Sequence, residues 1–123
     1  MRLVIVGSMG KAWTISEEII VRNLIHKILY DRTPTIVGSG ESPAGGVDIW
    51  VHEVCDRLGL PFKAFPPRAR IWPAYRERDQ QMADWCTHLV RIKSVRSKTY
   101  GSGWTRDRAR EQGKPTEEVV PNA

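Results

Sequence analysis

Three short segments combine glycine with hydroxyl side chains: Gly7-Ser8-Met9-Gly10, Gly38-Ser39-Gly40 running on to Gly45-Gly46, and Tyr100-Gly101-Ser102-Gly103-Trp104-Thr105. Glycine permits close backbone approach and φ values closed to other residues, so successive N–H groups in such segments can converge on an anion. Ser8, Ser39, Ser102 and Thr105 add hydroxyl donors. The chemistry this suits is phosphate binding. No segment has the Gly-Lys-Ser/Thr end of a Walker loop, and none has the G-x-G-x-x-G spacing of a dinucleotide fingerprint after the first strand. An ordinary ATPase and an NAD-dependent dehydrogenase are both disfavoured.

Charged residues flank these segments. Asp48 falls at the predicted start of a helix, where a carboxylate either holds a ribose hydroxyl or complements the helix dipole. Arg76 and Arg78 fall at the predicted start of another helix, where the dipole disfavours cations, so phosphate contact is their candidate role. Lys98 and Tyr100 flank the third segment and are candidates to bind phosphate and stack a base. Glu41 lies within the second segment. With Asp48 it is the only candidate for a catalytic carboxylate, and no partner is identifiable for it. His26, His52 and His88 are not clustered, so neither a metal site nor another cofactor is expected. Cys55 and Cys86 sit in helix-like segments and read as reduced packing residues.

Alternating strand and helix signals must position these residues. Leu3 to Val6 is a continuous apolar run, as in a strand covered on both faces. Thr14 and Glu17 have capping-box spacing, and Ile15, Ile19, Ile20, Leu24, Ile25, Ile28 and Leu29 continue a helix to about Tyr30. Pro34 to Val37 reads as a second strand, followed by a loop from Gly38 to Gly46. A second helix begins at Val47 and stops at Gly59, and Phe62 to Phe65 is a third strand. Pro66 to Tyr75 reads as a Pro- and Arg-rich loop, Arg76 to Cys86 as a helix with Tyr75, Asp79, Met82 and Cys86 on one face, and Thr87 to Ile92 as a fourth strand. A polar loop to Gly103, a short helix from Thr105 to Gln112 and a strand from Thr116 to Val120 complete the pattern.

Leu58-Gly-Leu-Pro61 and Gln112-Gly-Lys-Pro115 each end a helix with glycine and start a strand after proline. The expected fold is α/β: a single Rossmann-like domain over residues 1–120, a parallel five-stranded sheet of order 3-2-1-4-5, helices on both faces, and a tail at 121–123. All three glycine segments then follow carboxyl ends of strands, where ligands of such sheets bind.

Bulk properties bound the function. The chain has 123 residues, 41% hydrophobic and 27% charged, as expected of one globular domain. No apolar run is long enough to span a bilayer, and no signal-peptide pattern precedes the first strand, so the expected location is the cytoplasm, with no membrane partner. Residues 1–60 carry 6 Lys+Arg and 7 Asp+Glu, whereas residues 61–114 carry 13 and 5. Positive charge concentrated in the second half suggests an anionic partner, either a phosphate ligand or nucleic acid.

Taken in order, the segments resemble the SLOG superfamily, which unites the Smf/DNA-processing Rossmann-like proteins, the Lonely Guy phosphoribohydrolases and small stand-alone sensors. The resemblance covers residues 2–120 and is nearest to the small YspA-like members. Gly45, Gly46 and Asp48 match the family's Gly-Gly-x-x-Gly-x-Asp loop. Arg78, Gln80, Gln81 and Met82 match its Arg-Asn-x-x-Met segment, with Asp79 where Asn is usual. Gly101, Gly103, Thr105 and Asp107 match its Gly-Gly-x-Gly-Thr-x-Asp loop, with Trp104 where Gly is usual. The Lonely Guy enzymes carry a catalytic Glu three residues after the motif Thr, and that position here is Arg108. The resemblance implies binding of a nucleotide-derived ligand and a homodimer.

The leading expectation is therefore a domain that binds or senses a nucleotide or nucleotide-derived phosphate ligand, with little or no phosphoribohydrolase turnover. One alternative is an enzyme, a phosphoribohydrolase or a nucleoside deoxyribosyltransferase-like protein, with Glu41 or Asp48 stabilising the sugar cation. The other is a nucleic-acid-binding protein that sets Arg68, Arg70, Arg91, Lys93, Arg96 and Lys98 on phosphates and Trp72 on a base.

Overall fold

Leu3, Val4, Ile5 and Val6 are all buried, and successive side chains go to opposite faces of one sheet. They belong to β1 (Arg2–Gly7), the central strand in the computed structural model, which describes residues 1–123. β2 (Ile36–Gly40), β3 (Phe62–Phe65), β4 (His88–Ile92) and β5 (Thr116–Val119) complete an all-parallel sheet in the order β3-β2-β1-β4-β5. The register pairs Val4 with Gly38 on one side of β1 and with Leu89 on the other. This is the Rossmann-like α/β arrangement that the alternating pattern predicts.

Two cores sandwich the sheet. Leu3 and Ile5 pack with Val21 and Ile25 of α1 (Ile15–Arg32) and with Val51 and Val54 of α2 (Val47–Leu58). Val4 and Val6 pack with Met82 and Ala83 of α3 (Trp72–Trp85) and Ala109 of α4 (Gly101–Glu111). Both faces of β1 are thus dry, which is why its sequence shows no polar alternation. No helix is long and apolar enough to cross a membrane.

The helix ends follow the local chemistry. Thr14 Oγ1 accepts from the Glu17 N–H at 3.2 Å, and Glu17 Oε1 accepts from the Thr14 N–H at 2.9 Å, closing the capping box. The two Gly-x-Pro joints are built alike. Gly59 and Gly113 take φ of 69° and 76°, and the Leu60 and Lys114 N–H groups return to the carbonyls of Cys55 and Ala109. This is Schellman geometry, and it turns each chain directly into the next strand.

Three boundaries differ from expectation. Gly38-Ser39-Gly40 is not loop but the second half of β2. The missing side chain at Gly38 makes room for the Trp85 ring, 2.6 Å from where a Cβ would stand. α3 begins at Trp72, four residues before the predicted start. Pro73 lies in its first turn, where a missing N–H costs nothing. α4 begins at Gly101, so the third glycine segment is a helical first turn. Asn122, in the tail, folds back to accept from the Val95 N–H at 2.9 Å.

Candidate functional site

β1 and β4 are neighbours, but the chain leaves them in opposite directions across the sheet, so their carboxyl ends diverge at a topological switch. A cleft of about 490 Å³ opens there. Gly7, Met9 and the Ser42–Ala44 stretch form one side. Trp72, Tyr75, Arg78, Asp79 and Met82 of α3 form the second, and Thr99 to Ser102 with Thr105 the third. Asp48, from the first turn of α2, lies between them.

The first two glycine segments spend much of their chemistry on each other. The Val47 N–H donates to the Ser8 carbonyl and the Gly10 N–H to the Ala44 carbonyl, each at 3.2 Å. Gly46 has φ of 88°, and a Cβ there would stand 2.4 Å from Ser8 O. Ser8 Oγ accepts from the Ser94 N–H at 2.9 Å, and Ser39 Oγ donates to the Ile5 carbonyl at 2.6 Å. These contacts fix the loops that shape the cleft. Of the sequence-derived candidates, Gly7, Asp48, Arg78, Gly101, Ser102 and Thr105 line it. Ser8, Gly38, Ser39, Gly40, Gly45, Gly46, Arg76, Lys98 and Gly103 do not. Glu41 lines a neighbouring groove, with Oε1 2.6 Å from His52 Nδ1.

On the cleft floor, the buried Arg78 donates from Nε to Asp79 Oδ1 at 2.8 Å and from Nη1 to the Phe65 carbonyl at 3.4 Å. Asp48 is buried beside it, and its Oδ1 has no hydrogen-bond partner. Burial pushes the Asp48 carboxyl up to about 7; the Arg78 charge opposes this and the Asp79 charge reinforces it. Burial likewise raises Asp79 above the ordinary carboxylate range, against the pull of Arg78. A protonated Asp48 donates a hydrogen bond and an ionised one accepts, so at neutral pH both roles are open to it.

The opposite wall offers donors. α4 has no capping side chain, and no protein group accepts from the Gly101, Ser102 or Gly103 N–H. Beneath this turn, Arg91 of β4 is only 4% exposed. Its Nε donates to Ser102 Oγ at 2.9 Å and its Nη1 to Glu118 of β5 at 2.7 Å. Because Ser102 Oγ accepts from below, its own proton is left to donate upward. Thr105 Oγ1 donates to the Gly101 carbonyl at 3.1 Å, bracing the same turn. Trp72 and Tyr100 keep more than half of their surface exposed at the mouth.

Several placements depart from expectation. Arg76 does not reach the cleft. Its guanidinium lies between the Trp72 and Trp104 rings, at 4.1 and 4.3 Å from their centroids. Arg108 stacks on Trp104 at 5.0 Å and pairs with Glu111, and it too is absent from the cleft lining. Arg91, one of the cations assigned to nucleic-acid phosphates, is buried and committed to Ser102 and Glu118. Arg96 is paired with Glu17. Sequence reasoning missed Trp72, Tyr75, Asp79 and Met82 as cleft residues. The available signal was Asp79, a carboxylate on a helix face otherwise apolar enough to be core.

Fold and cleft together define a doubly wound α/β protein with its concave site at the switch point of the sheet. No protein-family model and no curated protein sequence matches the chain.

Proposed function

We propose that the protein binds a nucleotide or nucleotide-derived phosphate ligand in this cleft. The observation that carries the reading is the uncapped first turn of α4 facing the cleft, with Ser102 held from beneath by Arg91. Backbone N–H groups and the helix dipole there favour an anion such as a phosphate. Trp72, Tyr75 and Tyr100 offer aromatic surface for a base, and the Asp48 carboxyl on the cleft floor suits a sugar hydroxyl. The SLOG resemblance assigns a ligand to the same edge of the sheet.

The test is calorimetric titration with nucleoside 5′-monophosphates, the parent nucleosides and inorganic phosphate. Monophosphates bind most tightly, and Tyr100→Ala weakens them by roughly tenfold, the equivalent of one good stacking contact. Absence of monophosphate binding at millimolar concentration refutes the proposal.

One observation favours a second reading, cleavage of an N-glycosidic bond. Asp48 and Asp79 place two carboxyl groups in one cleft, and such chemistry needs a carboxylate beside the developing sugar cation and an acid for the leaving base. Arg108 lies off the cleft and does not oppose that charge. Free base released from a monophosphate, and lost in Asp48→Asn, supports the enzyme; no release leaves the binding domain.

A further inference from the structure

A second groove, of about 470 Å³, adjoins the cleft and shares Ser42 and Pro43 with it as a dividing ridge. Its outer wall is the strap between β3 and α3, which contributes Pro67, Arg68 and Arg70. Each space is within the size range of small-ligand pockets.

Charge is divided unequally between the two. In the cleft, Arg78 stands against both Asp48 and Asp79, so no side-chain cation there is in excess. In the groove the balance reverses. Glu41 is the one carboxylate that lines it, with Oε1 2.6 Å from His52 Nδ1, and it faces two arginines. Arg70 has no acidic partner, and Arg68 makes only an exposed pair with Glu77 at 2.9 Å. Such a pair contributes little and is easily exchanged for a better anion.

The two anion-favouring places lie on opposite sides of Asp48. The α4 turn follows β4, whereas the groove lies beside the loop after β2 and the strap after β3. Three strand spacings separate β4 from β3, on the order of 14 Å. A single phosphate cannot serve both ends. A sugar seated at Asp48 reaches both if it carries phosphoryl groups on its 5′ and 3′ sides, with extended arginine side chains closing the remainder.

We infer that the ligand is a nucleotide phosphorylated on both sides of its sugar, the 5′ group on the first turn of α4 and the 3′ group under Arg68 and Arg70. This rests on the nucleotide reading above. The 3′ group is either a terminal phosphate or the first phosphodiester of a short 5′-phosphorylated strand.

The experiment is calorimetric titration of the full chain and of an Arg68→Ala/Arg70→Ala variant. The probes are adenosine 5′-monophosphate, adenosine 3′,5′-bisphosphate and the 5′-phosphorylated adenosine dinucleotide. Both residues are exposed, so the variant keeps the parent's thermal midpoint. The bisphosphate binds the parent at least roughly tenfold more tightly than the monophosphate. The variant loses that gain while holding the monophosphate unchanged. A dinucleotide that binds at least as tightly as the bisphosphate identifies the phosphodiester as a source, and a weaker dinucleotide identifies the terminal phosphate. Equal binding of monophosphate and bisphosphate, or a gain that survives in the variant, overturns the inference alone. Failure of every probe to bind overturns the nucleotide reading with it.

Discussion

The guanidinium of Arg78 lies against the bare α-carbon of Gly40: a Cβ at position 40 would stand 2.5 Å from Nη1 and 2.8 Å from Asp48 Oδ2. Arg78 belongs to a helix on one face of the sheet and Asp48 to a helix on the other. They approach each other over the carboxyl end of β2 because the strand's last residue has no side chain. The floor of the cleft therefore depends on a residue that does not line it.

Gly40→Ala tests this dependence. Alanine relieves the entropic cost of glycine in a strand, about 0.5–1 kcal/mol. It also forces apart the buried Arg78 and Asp48 side chains, an overpacking effect of about 1–3 kcal/mol. The expected net result in urea unfolding is a loss of stability, together with weaker binding of the proposed nucleotide ligand. A variant as stable as the parent shows that Arg78 moves aside freely.

Thr14→Ala removes the hydroxyl that accepts from the Glu17 N–H and opens the capping box of α1. The expected cost is about 1 kcal/mol, read as a lower urea midpoint with unchanged m-value. Affinity for the proposed nucleotide ligand stays the same, because Thr14 is not a cleft residue.

That cap was legible because its logic is local: two side chains three residues apart each satisfy the other's backbone. The Gly-x-Pro joints were legible for the same reason, and with the apolar strand runs they were enough to specify sheet order. The inner half of β2 was not. A glycine signals only a missing side chain, and that absence serves a turn and a buried strand equally. At Gly38 the deciding fact is the Trp85 ring, which comes from a helix far along the chain. The start of α3 was hidden similarly. Arginines near a helix N-terminus look misplaced in sequence, and what accommodates Arg76 is a slot between two tryptophans that exists only once α3 has docked on α4.

Arg76 should therefore behave as a packing residue. Its planar guanidinium covers both Trp72 and Trp104, a geometry that a lysine ammonium cannot reproduce. Arg76→Lys keeps the charge and still loses about 1–2 kcal/mol, with a change in tryptophan fluorescence as the rings are uncovered. A lysine variant matching the parent in both measurements assigns the contribution of Arg76 to charge alone.

Asp48 sets a pH dependence of defined sign. The native carboxyl holds its proton up to about pH 7, against the ordinary value of 3.8 for the unfolded chain. Between those values the native state binds more protons, so stability falls as pH rises. The contribution is fully present below about pH 4 and lost above about pH 7. Asp79, also raised, acts in the same direction. Glu17 and Glu118, both lowered, contribute above the usual carboxylate range and lose that contribution on further acidification, so they act in a more acidic window. Asp48→Asn keeps the shape and hydrogen-bonding capacity of the protonated acid while removing its titration. Its urea stability therefore matches the parent's near pH 4 and exceeds it near pH 8, by an amount on the order of a few kcal/mol. The difference between the two profiles isolates Asp48 from every other group that titrates. Parallel profiles from about pH 4 to about pH 8 would show that the Asp48 carboxyl is already ionised throughout that range. In that case only a hydrogen-bond-accepting role toward the proposed ligand is left to it.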